Sequence, residues 1–204
     1  MLLAGLFASL LILALIVSDW FHFTSLTEPA SRYGCQIARM ENRLPRAPLA
    51  LELQRFDRNG ILRLPHGVAR LFAPQSRIVL RPQYQLFSFR FRTAWPLKAT
   101  IELESDGPST HVKCLKRVPW SSAVLTLLWF ALVGIGTVAF IIVFAANGGF
   151  ASFSGVLMGL GITGIGLLVL AFGLVVVALA YRLEDARLTE AYRELLATLS
   201  GNSR

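Results

Sequence analysis

The sequence predicts an integral membrane protein with three transmembrane α-helices, one N-terminal and two in a C-terminal hairpin, plus a small antiparallel β domain between helices 1 and 2. Three observations predict it. From Ser121 to Tyr181 no Lys, Arg, Asp, Glu or His interrupts the chain, and only Asn147-Gly148-Gly149 breaks its apolar character. A hydrocarbon core of roughly 30 Å needs about 20 apolar residues per helix, so this stretch supplies two spans and a tight turn. Leu2 to Val17 is a further apolar run, and the region between the two stretches is written in short alternating segments separated by turn residues.

Composition sets the same frame. Of 204 residues, 54% are hydrophobic, too many for an ordinary soluble domain. The net charge of +8 is unevenly placed: residues 19–117 carry 16 Lys and Arg against 8 Asp and Glu, whereas residues 182–204 carry 4 of each. A basic excess beside a membrane points to anionic lipid or an acidic partner, and no motif points to nucleic acid. A generally basic, solvated surface explains it equally well.

Residues 1–23 form the first expected element. The run Leu2 to Val17 is followed by Asp19-Trp20-Phe21-His22-Phe23, with aromatic rings at interface depth. No Lys or Arg precedes it and no small-x-small cleavage site follows it, which favours a retained transmembrane helix over a signal peptide.

Residues 24–120 are the expected basic sheet domain. The mixed run from Ser31 to Asn42 reads as one short helix. Leu49 to Phe56 alternates as a half-buried strand, and Asn59-Gly60 is a hairpin-turn pair that should return the chain along Ile61 to Leu64. Further strands are expected at 68–72, 77–80 and 85–92, the last placing Phe87, Phe89 and Phe91 on one face. Residues 100–104 and 111–116 flank Asp106-Gly107-Pro108-Ser109 as a final hairpin. Such a domain lies near the lower size limit for a single stable core, so packing on the bilayer or on the helices should support it.

Residues 121–181 form the hairpin, with spans at about 122–146 and 153–181 and Trp120, Trp129 and Phe130 as interface anchors. Helices in lipid associate through small residues that let backbones approach. Gly155, Gly159 and Thr163 make one such face, with Gly166 beyond it, and Gly134 and Thr137 offer another on the preceding helix. These faces serve the hairpin itself or a neighbouring subunit. In residues 182–204 Leu188, Tyr192, Leu195 and Leu199 recur at helical spacing, so the third helix should continue into water. That stripe covers the protein's own sheet or a partner helix.

Lys113, Lys116 and Arg117 precede the second span and Arg182 and Arg187 follow the third, whereas the turn at residues 147–152 is uncharged. The positive-inside rule then puts the β domain and C-terminus in the cytoplasm, the expected membrane being a bacterial inner membrane. Insertion of residues 2–17 as a signal anchor would reverse this. Orientation also governs Cys35 and Cys114, which bracket the domain: they form a disulfide only if exported, and stay reduced in the cytosol.

No catalytic motif and no cofactor or metal site is legible. Gly159-Leu160-Gly161-Ile162-Thr163-Gly164 matches a dinucleotide fingerprint by letter, but it lies within a lipid-length helix with no preceding strand. His22, His66 and His111 are scattered. The uncharged second and third spans lack the ionisable groups that proton and ion pathways use. The expected function is therefore non-enzymatic: an accessory, anchoring or assembly subunit whose partners are other membrane subunits or further copies of itself. One alternative is a protomer of an oligomeric channel or transporter. Another is a sensor in which Arg77, Arg81, Arg90, Arg92, Lys113, Lys116 and Arg117 contact anionic lipid or an acidic partner.

Overall fold

The computed structural model describes residues 2–45, 53–83 and 93–201. Three helices, α1 (Leu2–Thr24), α2 (Trp120–Ala146) and α3 (Phe153–Leu199), are each long and apolar enough to cross a membrane. Between α1 and α2 lies a six-stranded antiparallel sheet of β1 (Cys35–Pro45), β2 (Ile61–Arg63), β3 (Gly67–Phe72), β4 (Arg77–Pro82), β5 (Lys98–Asp106) and β6 (Ser109–Val118), in the order β1-β6-β5-β4-β3-β2. The chain divides into two compact units. One comprises residues 1–122 and 183–204, and the other residues 123–182.

In the first unit the sheet is covered on both faces by its own chain. Successive residues of a strand point to opposite faces, so Lys116 and Arg117 of β6 belong to different layers. The Lys116 face carries Ala69, Ile78, Leu80, Ala99, Ile101, Val112 and Cys114, all buried, and the far end of α3 lies over it. Leu188, Tyr192, Leu195 and Leu199 are each no more than 3% exposed there. Asn42 Nδ2 donates to the Tyr192 hydroxyl at 2.8 Å, and Lys116 donates to Asp185 and, at 3.3 Å, to the Thr189 hydroxyl. Gly67 makes room for this helix, since a Cβ there would stand 2.8 Å from that of Ala191. The stripe on the tail thus covers the protein's own sheet, and its reading as a surface for a partner helix is corrected.

The opposite face receives the segment that follows α1. A helix leaves its last four carbonyls without intrahelical donors, and here each finds one. Ser25 supplies its N–H to Phe21 O and its hydroxyl to His22 O, Lys98 Nζ reaches Phe23 O at 3.0 Å, and Arg81 Nη1 reaches Thr24 O at 2.8 Å. The pattern continues downstream: Arg70 binds Leu26 O, Lys98 also binds Ala30 O, the Thr100 hydroxyl binds Ser31 O, and Arg117 binds Gly34 O. Gly34 is required at its position. Its φ is +109°, and a side chain would strike the Val118 carbonyl and the Phe23 ring.

Three expected elements are corrected. Residues 35–45 form β1 rather than part of a helix, because Gly34 breaks the chain after a 3-10 turn at Pro29–Arg32 and Ala38, Met40, Asn42 and Leu44 then alternate with exposed Arg39, Glu41 and Arg43. Asn59-Gly60 does not close a hairpin with the preceding residues. Leu53–Arg55 is a 3-10 turn, the Asp57 carboxylate accepts the N–H groups of Asn59 and Ile61, and β2 pairs with β3 instead. The expected strand at 49–56 otherwise falls outside the described residues, as does the one at 85–92 with its three Phe. The hairpin of β5 and β6 forms as read, with Asp106 opposite Ser109.

In the second unit α2 and the first part of α3 are joined through residues 147–152. Ser152 caps α3 by accepting the Gly155 N–H at 3.1 Å. The contact between the helices uses a seven-residue repeat. Gly159 faces Phe144 and Phe150, Gly166 faces Thr137, and Gly173 faces Trp129 and Phe130, each so closely that no Cβ fits.

Candidate functional site

Within the first unit, where the end of α1, the first residues of α2 and the distal part of α3 meet the sheet, three polar side chains form the junction. Asp19, near the end of α1, accepts the Ser121 N–H at 3.0 Å, the Ser121 hydroxyl at 2.5 Å and the Tyr33 hydroxyl. The bond to Asp19, together with burial, pushes the Tyr33 phenol up to about 12. One carboxylate therefore ties α1 to the start of α2. Ser122 adds a second tie, its hydroxyl donating to Ala94 O at 2.8 Å.

Lys98 is 1% exposed, and among the described residues no carboxylate pairs with it. It donates to two backbone carbonyls and sits 4.4 Å from the centre of the Phe23 ring, a cation–π arrangement. Burial, with the neighbouring Arg117 charge, lowers its pKa to about 8.

Glu184 is the third. It is 1% exposed, and its Oε1 accepts from the Thr93 hydroxyl at 3.1 Å and from Arg187 Nη1 at 3.0 Å. Its Oε2 is buried with no hydrogen-bond partner among the described residues. Glu184 lines a cavity of about 260 Å³ with Val17, Trp20, Phe21, Thr24, Arg81, Thr93 and Pro96.

The basic residues singled out in sequence go largely to internal work. Arg77 is 6% exposed, donates to the Ser31 hydroxyl at 3.1 Å and lies 3.7 Å from Glu102. Lys116 is buried against Asp185, and Arg117 is half-buried on Gly34 O, its pKa lowered chiefly by burial. These three are therefore not a lipid-facing patch, which corrects their reading as anion contacts. Arg81 faces the cavity, Lys113 is half-buried on β6, and Arg90 and Arg92 lie outside the described residues.

Cys35 and Cys114 are both free. Cys114 stands opposite Met40, five residues along β1 from Cys35. At about 3.3 Å per residue the two are on the order of 15 Å apart, well beyond the roughly 7 Å a disulfide spans, so this geometry does not fit the pairing that sequence allowed for an exported domain. Burial raises the Cys114 thiol to about 12.

Of the packing residues, Thr137 and Gly166 meet each other and Gly159 meets aromatic rings. Gly155 lies against the turn, Thr163 bonds back to Gly159 O, and Gly134 has open space around it. The four-residue spacing from Gly155 is thus not the pattern of the contact, which follows the seven-residue repeat 159–166–173. Asp19, Lys98 and Glu184 are candidates that emerge only from the structure. Lys98 carried a signal, being a lone charge among Trp95, Pro96, Leu97, Ala99 and Ile101.

Among the described residues no group of three His, Cys, Asp or Glu side chains is placed to hold a metal. No family model matches the chain, and neither the curated proteins nor the solved structures searched contain a match.

Proposed function

We propose that this chain is a multi-pass membrane protein that serves as a non-catalytic anchoring or assembly subunit of a larger membrane complex. The observation that carries the reading is the junction: one sheet domain is fastened to the ends of three helices of membrane-spanning length, through Asp19, Lys98, Ser122 and the docked end of α3. Such ties join the sheet to the end of α1, the first residues of α2 and the distal part of α3 within one compact unit, as a scaffold for neighbouring subunits requires. Both broad sheet faces are occupied by the chain itself, so partners would approach the outer surfaces of the helices and the rim of the domain. The basic residues flanking α2 and α3 favour a cytoplasmic domain and tail.

The test is gentle extraction of the tagged protein from its native membrane in nanodiscs, followed by mass and composition analysis. Defined foreign subunits in fixed ratio support the reading. A homo-oligomer with conductance in a reconstituted bilayer refutes it in favour of a channel protomer, and an isolated monomer refutes it outright.

A further inference from the structure

We propose that the cavity beside the turn at Pro29–Arg32 binds inorganic phosphate through Arg32, Arg77 and Gln75. The site lies wholly within the first unit and goes beyond the anchoring reading without depending on it. The cavity, of about 350 Å³, is lined by Glu28, Pro29, Ser31, Arg32, Gln75 and Arg77. Two turns bring these residues together. One is the 3-10 turn that follows α1, and the other is the turn at Ala73–Gln75 between β3 and β4. Ser76, which separates Gln75 from Arg77, has a φ of +48°, a left-handed conformation uncommon outside glycine.

Charge carries the argument. Arg32 is exposed and makes no hydrogen bond or ion pair among the described residues. Arg77 presents one edge. Its Nη1 is given to the Ser31 hydroxyl and its Nε is shut off from solvent, but Nη2 is not shut off and stands 3.7 Å from Glu102, beyond hydrogen-bond reach. That edge faces the cavity rather than lipid. The Arg32 charge is also felt at Arg77 and at Arg117, whose pKa values burial lowers first. Three guanidiniums thus stand against two carboxylates, Glu28 and Glu102. An oxyanion relieves that imbalance, and guanidinium bonds to phosphate oxygens are of the strong, charge-assisted kind.

Glu28 selects among oxyanions. Its carboxylate accepts from the Gln75 amide on the cavity wall and has room for a further donor. Inorganic phosphate keeps a proton at neutral pH and supplies that donor. Sulfate has none, and a phosphate monoester has largely lost its own at pH 7.

The experiment titrates sodium phosphate into the purified full-length chain in a neutral maltoside detergent, at pH 7 and constant ionic strength, followed by calorimetry and by phosphorus NMR line broadening. One phosphate should bind with a Kd of about 1 mM or tighter. Sulfate and glycerol phosphate should bind about fivefold more weakly, each leaving the Glu28 oxygen without a donor. Arg32→Gln should weaken phosphate binding about tenfold with an unchanged melting temperature, because Arg32 supports no contact in the fold. Arg193→Gln removes the same charge from an exposed position on α3, over the other face of the sheet, and should change nothing. Absence of saturable phosphate binding overturns the inference, as does equal weakening by Arg32→Gln and Arg193→Gln, which would leave a diffuse charge effect only. Sulfate bound as tightly as phosphate overturns the assignment to phosphate. Displacement of phosphate by an equal concentration of phosphatidic acid in the micelles would overturn the soluble ligand and assign the cavity to a lipid headgroup.

Discussion

Gly67→Ala is the smallest change that tests how α3 docks on the sheet. The added Cβ would lie 2.8 Å from the Ala191 Cβ and 3.0 Å from the Arg81 carbonyl oxygen. Carbon atoms pack at about 3.5–4.0 Å, so the helix must withdraw by roughly 1 Å, and neither neighbour is a flexible side chain that can swing aside. Overpacking of this kind costs about 1–3 kcal/mol. At tenfold per 1.4 kcal/mol, hydrogen exchange of the amides from Glu184 to Leu199 should quicken about 5- to 140-fold wherever it proceeds by local release of the helix. Ala191→Gly removes the facing atom and by itself weakens the helix by about 1 kcal/mol. In the double variant the clash term should fall away, leaving protection better than the two single effects summed. Unchanged exchange in Gly67→Ala, or strict additivity in the double variant, would refute the docking geometry.

Further outcomes follow from the same contacts. In the hairpin, Gly166→Ala should destabilise by about 1–3 kcal/mol, because Thr137 is β-branched and cannot turn away. Gly134→Ala, with open space around it, should stay within about 0.5 kcal/mol or gain slightly, as read by thermal melting. The buried Lys98, lowered from 10.5 to about 8, sheds its proton in the folded state before the unfolded one does. The unfolded chain therefore binds more protons between those values, and stability should rise with pH from 8, by up to about 3 kcal/mol across the window. Cys114 opposes this: raised from 9.0 to about 12, its contribution is complete below pH 9 and is lost as pH climbs towards 12. The rise should thus be clearest between pH 8 and 9 and should vanish in Lys98→Met. Under mild oxidation the monomer should form no internal disulfide on non-reducing gels, and Cys114 should resist maleimide until unfolding.

What was legible in sequence was what periodicity and charge control directly. The uncharged stretch from Ser121 to Tyr181 becomes two helices of spanning length, and the tail stripe of Leu188, Tyr192, Leu195 and Leu199 becomes a buried face. Strands 3 to 6 were readable because their alternation is local. β1 was not, since its partner β6 lies more than 60 residues away and its five polar residues blur the alternation of its six apolar ones. The basic excess was visible, but its use was not: whether Arg70, Arg81, Lys98 and Arg117 meet lipid or the carbonyls after α1 depends on which face of each strand is covered. Glu184 was hidden for the same reason, as an acidic residue on a tail helix ordinarily faces water.

The central claim is that the chain crosses a membrane three times, with the sheet domain and the end of α3 on one side and the turn at residues 147–152 on the other. Single cysteines introduced at Asn147 and at Gly201 in a cysteine-free background, probed with a membrane-impermeant maleimide in sealed vesicles of one orientation, test it directly. The account predicts that only one of the two positions reacts until the vesicles are opened, with Gly201 and a third cysteine at Arg58 behaving alike. Labelling of Asn147 and Gly201 from the same side would contradict it.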